Sequence, residues 1–292
     1  MFSSSIVPII TPFKDDYSID YEILANLIEF HIQEGTKGII PVGTTGESAT
    51  LSYREHSDVV KFTIDRVNKR VPVIAGAGSN STFEAIELVK QAEKDGADGI
   101  LSITPYYNKP TQEGLIVHFT EIAKNTKLPI ILYNVPGRTG VNMIPETVYA
   151  LSKIDNIIGI KEASGNLTQA AEIIRLCEGR INVFCGEDTL AFPMMTIGAK
   201  GSIAATANVI PADFSSMVEE AEDNINRARA LYYKIFPICK AMFLETNPAP
   251  VKEALYLMGL IPCPKVRLPL VGVKEKTREE IRSLLKSYGL VK

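Results

Sequence analysis

The hydrophobic residues of this chain fall into short apolar runs that alternate with longer segments of helical periodicity. These runs have the length expected of strands that are buried on both faces of a sheet. Eight runs occur, at residues 6–10, 38–42, 72–75, 99–103, 129–133, 157–161, 181–185 and 200–204. Their alternation with helices predicts an α/β protein, either a (β/α)8 TIM barrel or a doubly wound open sheet. The even spacing and the lack of a G-x-G-x-x-G turn favour the barrel.

The helical segments have recognisable ends, of which the clearest lie around residues 81–96. Ser81 and Glu84 have the spacing of a capping box, which predicts a helix that begins after Ser81. Ala85 and Val89 lie on one apolar face of this helix, and Gly96 is placed to end it.

The pattern changes after Pro211, where helical segments at 213–225 and 227–241 follow each other without a strand between them. Proline-containing turns interrupt the remainder, and no flexible linker precedes it. We therefore predict a barrel over residues 1–224 that forms the catalytic domain, and a C-terminal helical appendage over residues 225–292.

Composition and charge narrow the class of protein. The net charge is −3 and no lysine- or arginine-rich run occurs, which argues against nucleic acid or an anionic membrane as partner. The chain shows neither a signal-peptide pattern nor a membrane-spanning apolar stretch, so we expect a cytoplasmic protein. The four cysteines lack C-x-x-C spacing and the histidines lie far apart, so we predict free thiols, structural roles for His31 and His118, and no metal site.

One strand is unusual because it ends in a lysine. Lys161 follows the apolar residues 157–160 and precedes Glu162 and a glycine-containing turn. Catalytic groups of a barrel lie at this end of a strand, and burial makes a neutral, nucleophilic amine available for Schiff-base formation with a ketone. The alternative is a lysine that reaches solvent or pairs with Glu162. Pairing is disfavoured because neighbours on a strand point to opposite faces.

Two other strand ends carry polar groups that would meet Lys161 at the same rim. Thr44 and Thr45 lie between glycines, where hydroxyls and backbone N–H groups suit a carboxylate. Tyr133 offers a phenol for proton transfer, and Arg138 a guanidinium for a second carboxylate. The alternatives are a plain glycine turn in which Thr45 caps the next helix, a purely structural core position for Tyr133, and a surface ion pair for Arg138.

The loops after strands four and seven complete the predicted rim. Tyr106 and Tyr107 lie in a proline-containing loop, and such tyrosines are more often packing or interface residues than catalysts. Gly186 permits a ligand to approach the backbone closely, and we expect Asp188 to cap the following helix. A Schiff base serves as electron sink without a metal, which agrees with the absence of a metal-ligand pattern.

Four motifs carry a resemblance to a known family: GTTGE at 43–47, TPYYNKP at 104–110, YNVPGRTG at 133–140 and IKEASGN at 160–166. With these in register, the chain resembles the dihydrodipicolinate synthases, within the pyruvate-dependent class I aldolase family that includes N-acetylneuraminate lyase. The resemblance implies condensation of pyruvate with L-aspartate 4-semialdehyde, the first committed step of diaminopimelate and lysine biosynthesis. It implies a covalent lysine–pyruvate imine and no cofactor.

The resemblance also implies roles for individual residues. Lys161 would form the Schiff base, and Tyr133 would act as acid and base. Thr44 would link Tyr133 to Tyr107 of a neighbouring subunit, which requires at least a dimer. A homotetramer built from tight dimers is what the resemblance implies.

The substrate pocket follows from the same resemblance. Thr45 would hold the pyruvate carboxylate, Arg138 the semialdehyde carboxylate, and Gly186 and Ile203 would line the pocket through their backbones. The loop with Arg138 resembles that of the synthases rather than that of the sialic-acid lyases. Another Schiff-base aldolase acting on a 2-keto-3-deoxy acid is the runner-up, and a catalytically silent amino-acid sensor is the non-enzymatic alternative.

Family members that are inhibited by lysine have an allosteric site at the tight dimer interface. Six residues match that pattern here, Ser48, Ala49, His56, Asn80, Glu84 and Tyr106, and Tyr53 occupies a further position of the tentative site. Glu84 would bind the ammonium group of L-lysine and Asn80 its carboxylate. Tyr53 departs from the pattern, because many inhibited members carry histidine there. The alternative for His56 and Glu84 is a solvated helix face.

Overall fold

A computed structural model describes residues 2–292 of the chain and contains a closed barrel of eight parallel strands. The strands are β1 Ser4–Pro8, β2 Ile39–Ile40, β3 Ile74–Gly76, β4 Gly99–Ile103, β5 Ile130–Asn134, β6 Ile157–Glu162, β7 Asn182–Cys185 and β8 Gly201–Ile203. Their order in the sheet is β2-β1-β8-β7-β6-β5-β4-β3, and a parallel bridge between Ile39 and Val73 joins the two ends. The predicted (β/α)8 barrel is confirmed, and the open sheet is wrong.

Within residues 2–292, twelve α-helices surround or follow the barrel. They are α1 Tyr21–Gln33, α2 Tyr53–Val67, α3 Thr82–Asp95, α4 Gln112–Lys124, α5 Pro136–Thr139, α6 Pro145–Leu151, α7 Leu167–Cys177, α8 Ala191–Thr196, α9 Pro211–Asp223, α10 Ile225–Ala241, α11 Ala249–Leu257 and α12 Glu275–Tyr288. None of the helices formed by residues 2–292 has the length and hydropathy needed to cross a membrane.

The ends of α3 agree with the sequence, but its predicted capping box is only half formed. The Ser81 hydroxyl accepts from the backbone N–H of Glu84, and Gly96 ends the helix in the left-handed region at φ 93°. The Glu84 carboxylate instead accepts from the Ser79 hydroxyl at 2.7 Å. A complete capping box occurs at α2, between Ser52 and Glu55.

The barrel interior is filled by apolar side chains from all strands but β6. Its apolar cluster comprises Ile6, Ile40, Ile74, Leu101, Ile131, Tyr133, Val135, Phe184 and Ile203. Strand β6 instead presents Gly159, where a Cβ would lie 3.1 Å from the Phe184 ring, and then Lys161. Ile160, between them, packs in the larger core between strands and helices. The alternation along β6 therefore directs Lys161 into the barrel.

The C-terminal helices return to the barrel mouth. Asn224 ends α9 and its side chain caps α10, and the chain then packs back against the loop after β2. Lys252 of α11 pairs with Glu47, and Arg267 pairs with Glu55. The division into 1–224 and 225–292 stays a prediction.

The four cysteines and two of the histidines, His31 and His118, lie in surroundings that suit structural roles. All four cysteines are free, three of them buried and Cys263 half-buried. His31 and His118 are buried on α1 and α4, and His118 Nδ1 lies 2.9 Å from the Thr82 hydroxyl.

Candidate active site

Lys161 lies inside the barrel near the carboxyl end of β6. It pairs in register with Tyr133 of β5 and Phe184 of β7, and it is 6% exposed. Its Nζ lies 4.4 Å from the centroid of the Tyr133 ring. The amine therefore neither reaches solvent nor pairs with Glu162, so both alternatives weighed from the sequence are wrong.

Glu162 points out of the barrel, as expected of the neighbour of an inward residue. Its carboxylate accepts from Asn134 Nδ2 at 3.0 Å, the backbone N–H of Ser164 at 2.7 Å and Gln169 Nε2 at 3.2 Å. These bonds join the ends of β5 and β6. They hold Tyr133 and Lys161, one residue earlier on each strand, in fixed register.

Gly186 provides the space that Lys161 occupies. A Cβ at Gly186 would lie 2.8 Å from Lys161 Cε and 2.7 Å from the Ala163 Cβ, closer than side-chain carbons approach each other. The sequence predicts that a ligand approaches the backbone at this glycine. In the structure, the lysine itself makes the close approach. Ile203, on the neighbouring β8, is fully buried in the interior cluster.

We name residues 43–47, which follow β2, the threonine turn. Its backbone is closed by bonds from the Glu47 N–H to the Thr44 carbonyl at 3.1 Å and from the Ser48 N–H to the Gly43 carbonyl at 3.3 Å. Thr45 is buried, and its hydroxyl accepts from Asn247 Nδ2 at 3.0 Å. Thr45 caps no helix, so that alternative is wrong.

Arg138 lies on the short helix α5, which Pro136 begins and Gly140 ends. Its Nη2 donates to the backbone carbonyl of Asn247 at 3.2 Å. Among residues 2–292 it makes no salt bridge, so the predicted alternative of a surface ion pair is wrong. The guanidinium is exposed at the barrel mouth, where an anion can reach it.

Asn247 is the contact that sequence reasoning missed, since it touches both Thr45 and Arg138. The only local signal was its position before a proline in the segment 247–250. Nothing in that segment indicates which of the distant strand ends it approaches.

A cavity of about 620 Å³ opens at the barrel mouth and joins two groups of predicted residues. The cavity wall includes three residues of the predicted catalytic rim, Thr44, Tyr133 and Arg138. It also includes six residues of the predicted binding site for L-lysine, which are Ser48, Ala49, Tyr53, His56, Glu84 and Tyr106. Asn80 is not among its walls, and its backbone carbonyl accepts from Asn108 Nδ2 at 2.8 Å.

The predicted alternative of a solvated helix face is wrong for His56. His56 is buried, and its Nε2 lies 2.8 Å from the Gly76 carbonyl oxygen; burial lowers the pKa of its ring. The hydroxyls of Ser79 and Tyr53 lower the pKa of Glu84 by hydrogen bonding to its carboxylate. An ionised carboxylate on the cavity wall is suited to an ammonium group.

Tyr107 is not brought to the rim of its own chain. It is 89% exposed and has φ 73°, a conformation that is strained for a bulky residue. Tyr106, Tyr53 and Phe83 are further exposed aromatics on this side of the barrel. Such a patch is typical of an interface.

Asp188 does not cap the helix that follows it, so that expectation is wrong. It is buried, and its carboxylate accepts from the backbone N–H of Ala205 at 3.3 Å and from both the N–H, at 2.6 Å, and the hydroxyl of Thr206. Burial raises its pKa to about 6, against the opposing effect of these bonds. The contact joins the loops after β7 and β8.

Comparison with known proteins agrees with this geometry. The family model described as the dihydrodipicolinate synthetase family matches residues 1–288. The 4-hydroxy-tetrahydrodipicolinate synthase of Syntrophus aciditrophicus is 53% identical over 292 residues, covering 100% of both chains. The chloride-inhibited dihydrodipicolinate synthase of Acinetobacter baumannii, solved in complex with pyruvate, superposes with a TM-score of 0.98 at 46% identity over 100% of both chains.

A third relative was solved with lysine bound. It is the dihydrodipicolinate synthase of Cyanidioschyzon merolae, with a TM-score of 0.96 at 38% identity over 99% of both chains. These likenesses extend over the whole chain, the barrel and the C-terminal helices together. The chain is therefore a member of the dihydrodipicolinate synthetase family.

Proposed function

We propose that this chain is a lyase, a 4-hydroxy-tetrahydrodipicolinate synthase that condenses pyruvate with L-aspartate 4-semialdehyde. This condensation is the first committed step of diaminopimelate and lysine biosynthesis. The observation that carries the proposal is the buried Lys161 amine over the Tyr133 ring, in a fold that superposes on a synthase solved with pyruvate. The reaction uses the protein's own amine and no cofactor.

The first step joins pyruvate to Lys161. The amine attacks the keto carbon, the oxygen leaves as water, and an imine forms between Nζ and C2. Loss of a proton from the methyl group then gives an enamine. Thr45 binds the pyruvate carboxylate, and the backbones of Gly186 and Ile203 line the remaining side of the pocket.

The second step forms the carbon–carbon bond. The enamine carbon attacks the aldehyde of L-aspartate 4-semialdehyde, whose carboxylate is bound by Arg138, and the aldehyde oxygen takes a proton from Tyr133. The substrate's own amine then displaces Lys161 from the imine and closes the ring. Thr44 passes protons between Tyr133 and Tyr107 of the partner subunit.

The position of Tyr107 supports an assembly of more than one subunit. Its exposure and its strained backbone support a role across an interface rather than within its own chain. We propose a tight dimer through this face, and a homotetramer made of two such dimers.

L-lysine is proposed as an allosteric inhibitor bound on the cavity wall. The Glu84 carboxylate accepts hydrogen bonds from the ammonium group of L-lysine. The ligand is surrounded by Ser48, Ala49, Tyr53, His56, Asn80 and Tyr106. The lysine-bound relative and the ionised Glu84 support this site. Initial rates that stay unchanged up to millimolar lysine would rule the inhibition out.

Trapping of the imine tests the activity most directly. Borohydride reduction in the presence of pyruvate should fix the adduct on Lys161, located by mass mapping, and Lys161→Ala should give none. Lys252, another buried lysine, serves as the internal control for labelling. No adduct in the native protein would indicate a silent amino-acid sensor, and cleavage of a 2-keto-3-deoxy acid faster than condensation would indicate a different aldolase.

A further inference from the structure

A buried ion pair joins the threonine turn to helix α11, and the proposed reaction steps do not use it. Lys252 Nζ donates to Glu47 Oε1, and the two side chains are 0% and 1% exposed. Lys252 Nζ also donates to the Lys265 carbonyl at 2.8 Å and lies 4.1 Å from the centroid of the Phe13 ring. Glu47 Oε2 accepts from the backbone N–H of Arg267 at 2.8 Å. Lys252 Nζ and both carboxylate oxygens of Glu47 therefore each have at least one hydrogen-bond partner.

Stability alone does not account for such a pair. The desolvation of two buried charges offsets most of their attraction, and an apolar pair of similar volume is often as stable. Burial lowers the pKa of Lys252 to about 8, with the Glu47 carboxylate acting in the opposite direction. The ammonium form therefore persists at neutral pH, facing Glu47, the Arg267 guanidinium and the Cys263 thiol.

The ion pair is attached to a strained stretch of backbone. Glu47 lies in the left-handed region at φ 56°, which side chains rarely adopt. A Cβ at the preceding Gly46 would lie 2.9 Å from the backbone nitrogen of Val42, so the turn is packed directly on the strand end. The Thr11 hydroxyl fixes the Gly46 carbonyl at 2.7 Å.

The same C-terminal segment contacts two more groups of the site. Asn247, which precedes α11, donates to the Thr45 hydroxyl and accepts from Arg138 through its backbone carbonyl. Residues 247–252 thus contact the threonine turn at Thr45 and Glu47, and the opposite side of the mouth at Arg138. Among residues 2–292, Arg138 makes no other side-chain hydrogen bond or salt bridge, so this segment is its one polar link toward the threonine turn.

We propose that Lys252 is a positioning residue for the proposed condensation, on which this inference rests. Its bond to Glu47 holds the threonine turn, and the Asn247 contacts set that turn relative to Arg138. Helix α11 therefore sets the relative placement of the hydroxyls that bind pyruvate and the guanidinium that binds the semialdehyde. A displacement of about 1 Å in such groups costs about 10²-fold in rate.

Three variants separate positioning from simple stabilisation: Lys252→Met, Glu47→Gln and the double variant. The single variants leave one buried group without its partner, whereas the double variant removes both charges at similar volume. A matched control exists on the same helix, since Glu253 is 1% exposed and accepts from Arg278 Nε at 2.8 Å toward α12. Glu253→Gln with Arg278→Met removes a pair that does not reach the mouth.

Two measurements are made on each protein. Hydrogen–deuterium exchange of the peptide 43–48 reports the turn without any substrate, and kcat is referred to the number of sites trapped with pyruvate and borohydride. We expect faster exchange in Lys252→Met and in the double variant, and kcat per trapped site lowered about 10²-fold. The double variant should regain the melting temperature of the native protein without regaining kcat.

The outcomes separate the two proposals. Exchange and kcat per site in the double variant equal to those of the Glu253/Arg278 control overturn the positioning role, whether or not Lys252→Met folds. Native protein that traps no pyruvate overturns the proposed function. In that case the exchange of the peptide 43–48 still decides whether Lys252 holds the turn.

Discussion

At residue scale, the glycine at position 186 determines where Lys161 can lie. Both strands β6 and β7 end at the site, and the stem of Lys161 passes through the volume that a Cβ at 186 would occupy. In the structure the side chain extends to place Nζ 4.4 Å from the centroid of the Tyr133 ring. On the proposed mechanism, this packing would preorganise the amine before a substrate binds.

Gly186→Ala should displace Lys161 and slow imine formation by about 10²-fold, because a Cβ there would lie 2.8 Å from Cε. The rate is measured by borohydride trapping with pyruvate at timed intervals. Gly272→Ala is the matched control, since a Cβ at that position meets no atom within 4 Å. Equal trapping rates in the two variants would contradict this account.

Tyr133→Phe should keep the pyruvate adduct and lower kcat by about 10²–10⁴-fold, the range of general acid–base catalysis. The ring that packs against Lys161 is kept and only the hydroxyl is lost. Tyr149→Phe is the control, because Lys153 Nζ also lies 4.4 Å from the centroid of that ring on the protein surface. Native turnover in Tyr133→Phe would remove the phenol from the mechanism.

At the scale of elements, helix capping and the alternation of side chains along strands explain most of the local structure. α2 carries the complete capping box, whereas Glu84 on α3 turns to Ser79 and the cavity. One spacing therefore serves helix capping in the first case and places a carboxylate on the cavity wall in the second. The difference depends on Ser79, which belongs to the loop after β3.

Helix α1 carries His31, which should make the fold acid-sensitive. Burial lowers the pKa of His31 from 6.5 to about 3. Below pH 6.5 the unfolded chain therefore binds a proton on His31 that the folded chain does not bind. The contribution of neutral His31 to the free energy of unfolding is complete above pH 6.5 and falls as the pH drops toward 3. The loss is about 1.4 kcal/mol for each pH unit in this window.

His31→Leu removes this term and should flatten the fall of the free energy of unfolding below pH 6.5. Denaturant unfolding at a series of pH values measures it. His118→Leu is a weaker counterpart, because burial lowers that pKa only to about 4. Parallel curves for the native protein and His31→Leu would exclude His31 as a source of the acid sensitivity.

At the scale of the whole molecule, the site is assembled from parts that lie far apart in the chain. The C-terminal helices supply Asn247 and Lys252 to a turn near residue 45, so the region after 224 belongs to the mouth of the barrel. On the proposed assembly, the remaining part comes from a second copy. Tyr107 of the partner subunit would complete each proton path.

Hybrid dimers test this completion. Subunits with Tyr107→Phe retain Lys161, and subunits with Lys161→Ala retain Tyr107, so each variant alone should have low activity. Mixing and reassociation should restore about a quarter of native activity, because half of the dimers are hybrid and each then has one complete site. Mixtures no more active than the separate variants would place Tyr107 in the site of its own subunit, and native activity of Tyr107→Phe alone would place it outside the mechanism.

The sequence alone determined the eight strands, the closed barrel, the ends of α3 and the position of Lys161 at a strand end. These follow from periodicity and from residues close together in the chain, which act before the tertiary structure forms. Tertiary structure alone decided that Gly186 accommodates the lysine stem, that Asp188 bonds to Thr206 rather than capping a helix, and that Lys252 pairs with Glu47. The reason is physical: such contacts join residues brought together only when the barrel closes, and no local pattern specifies which distant partner a side chain meets.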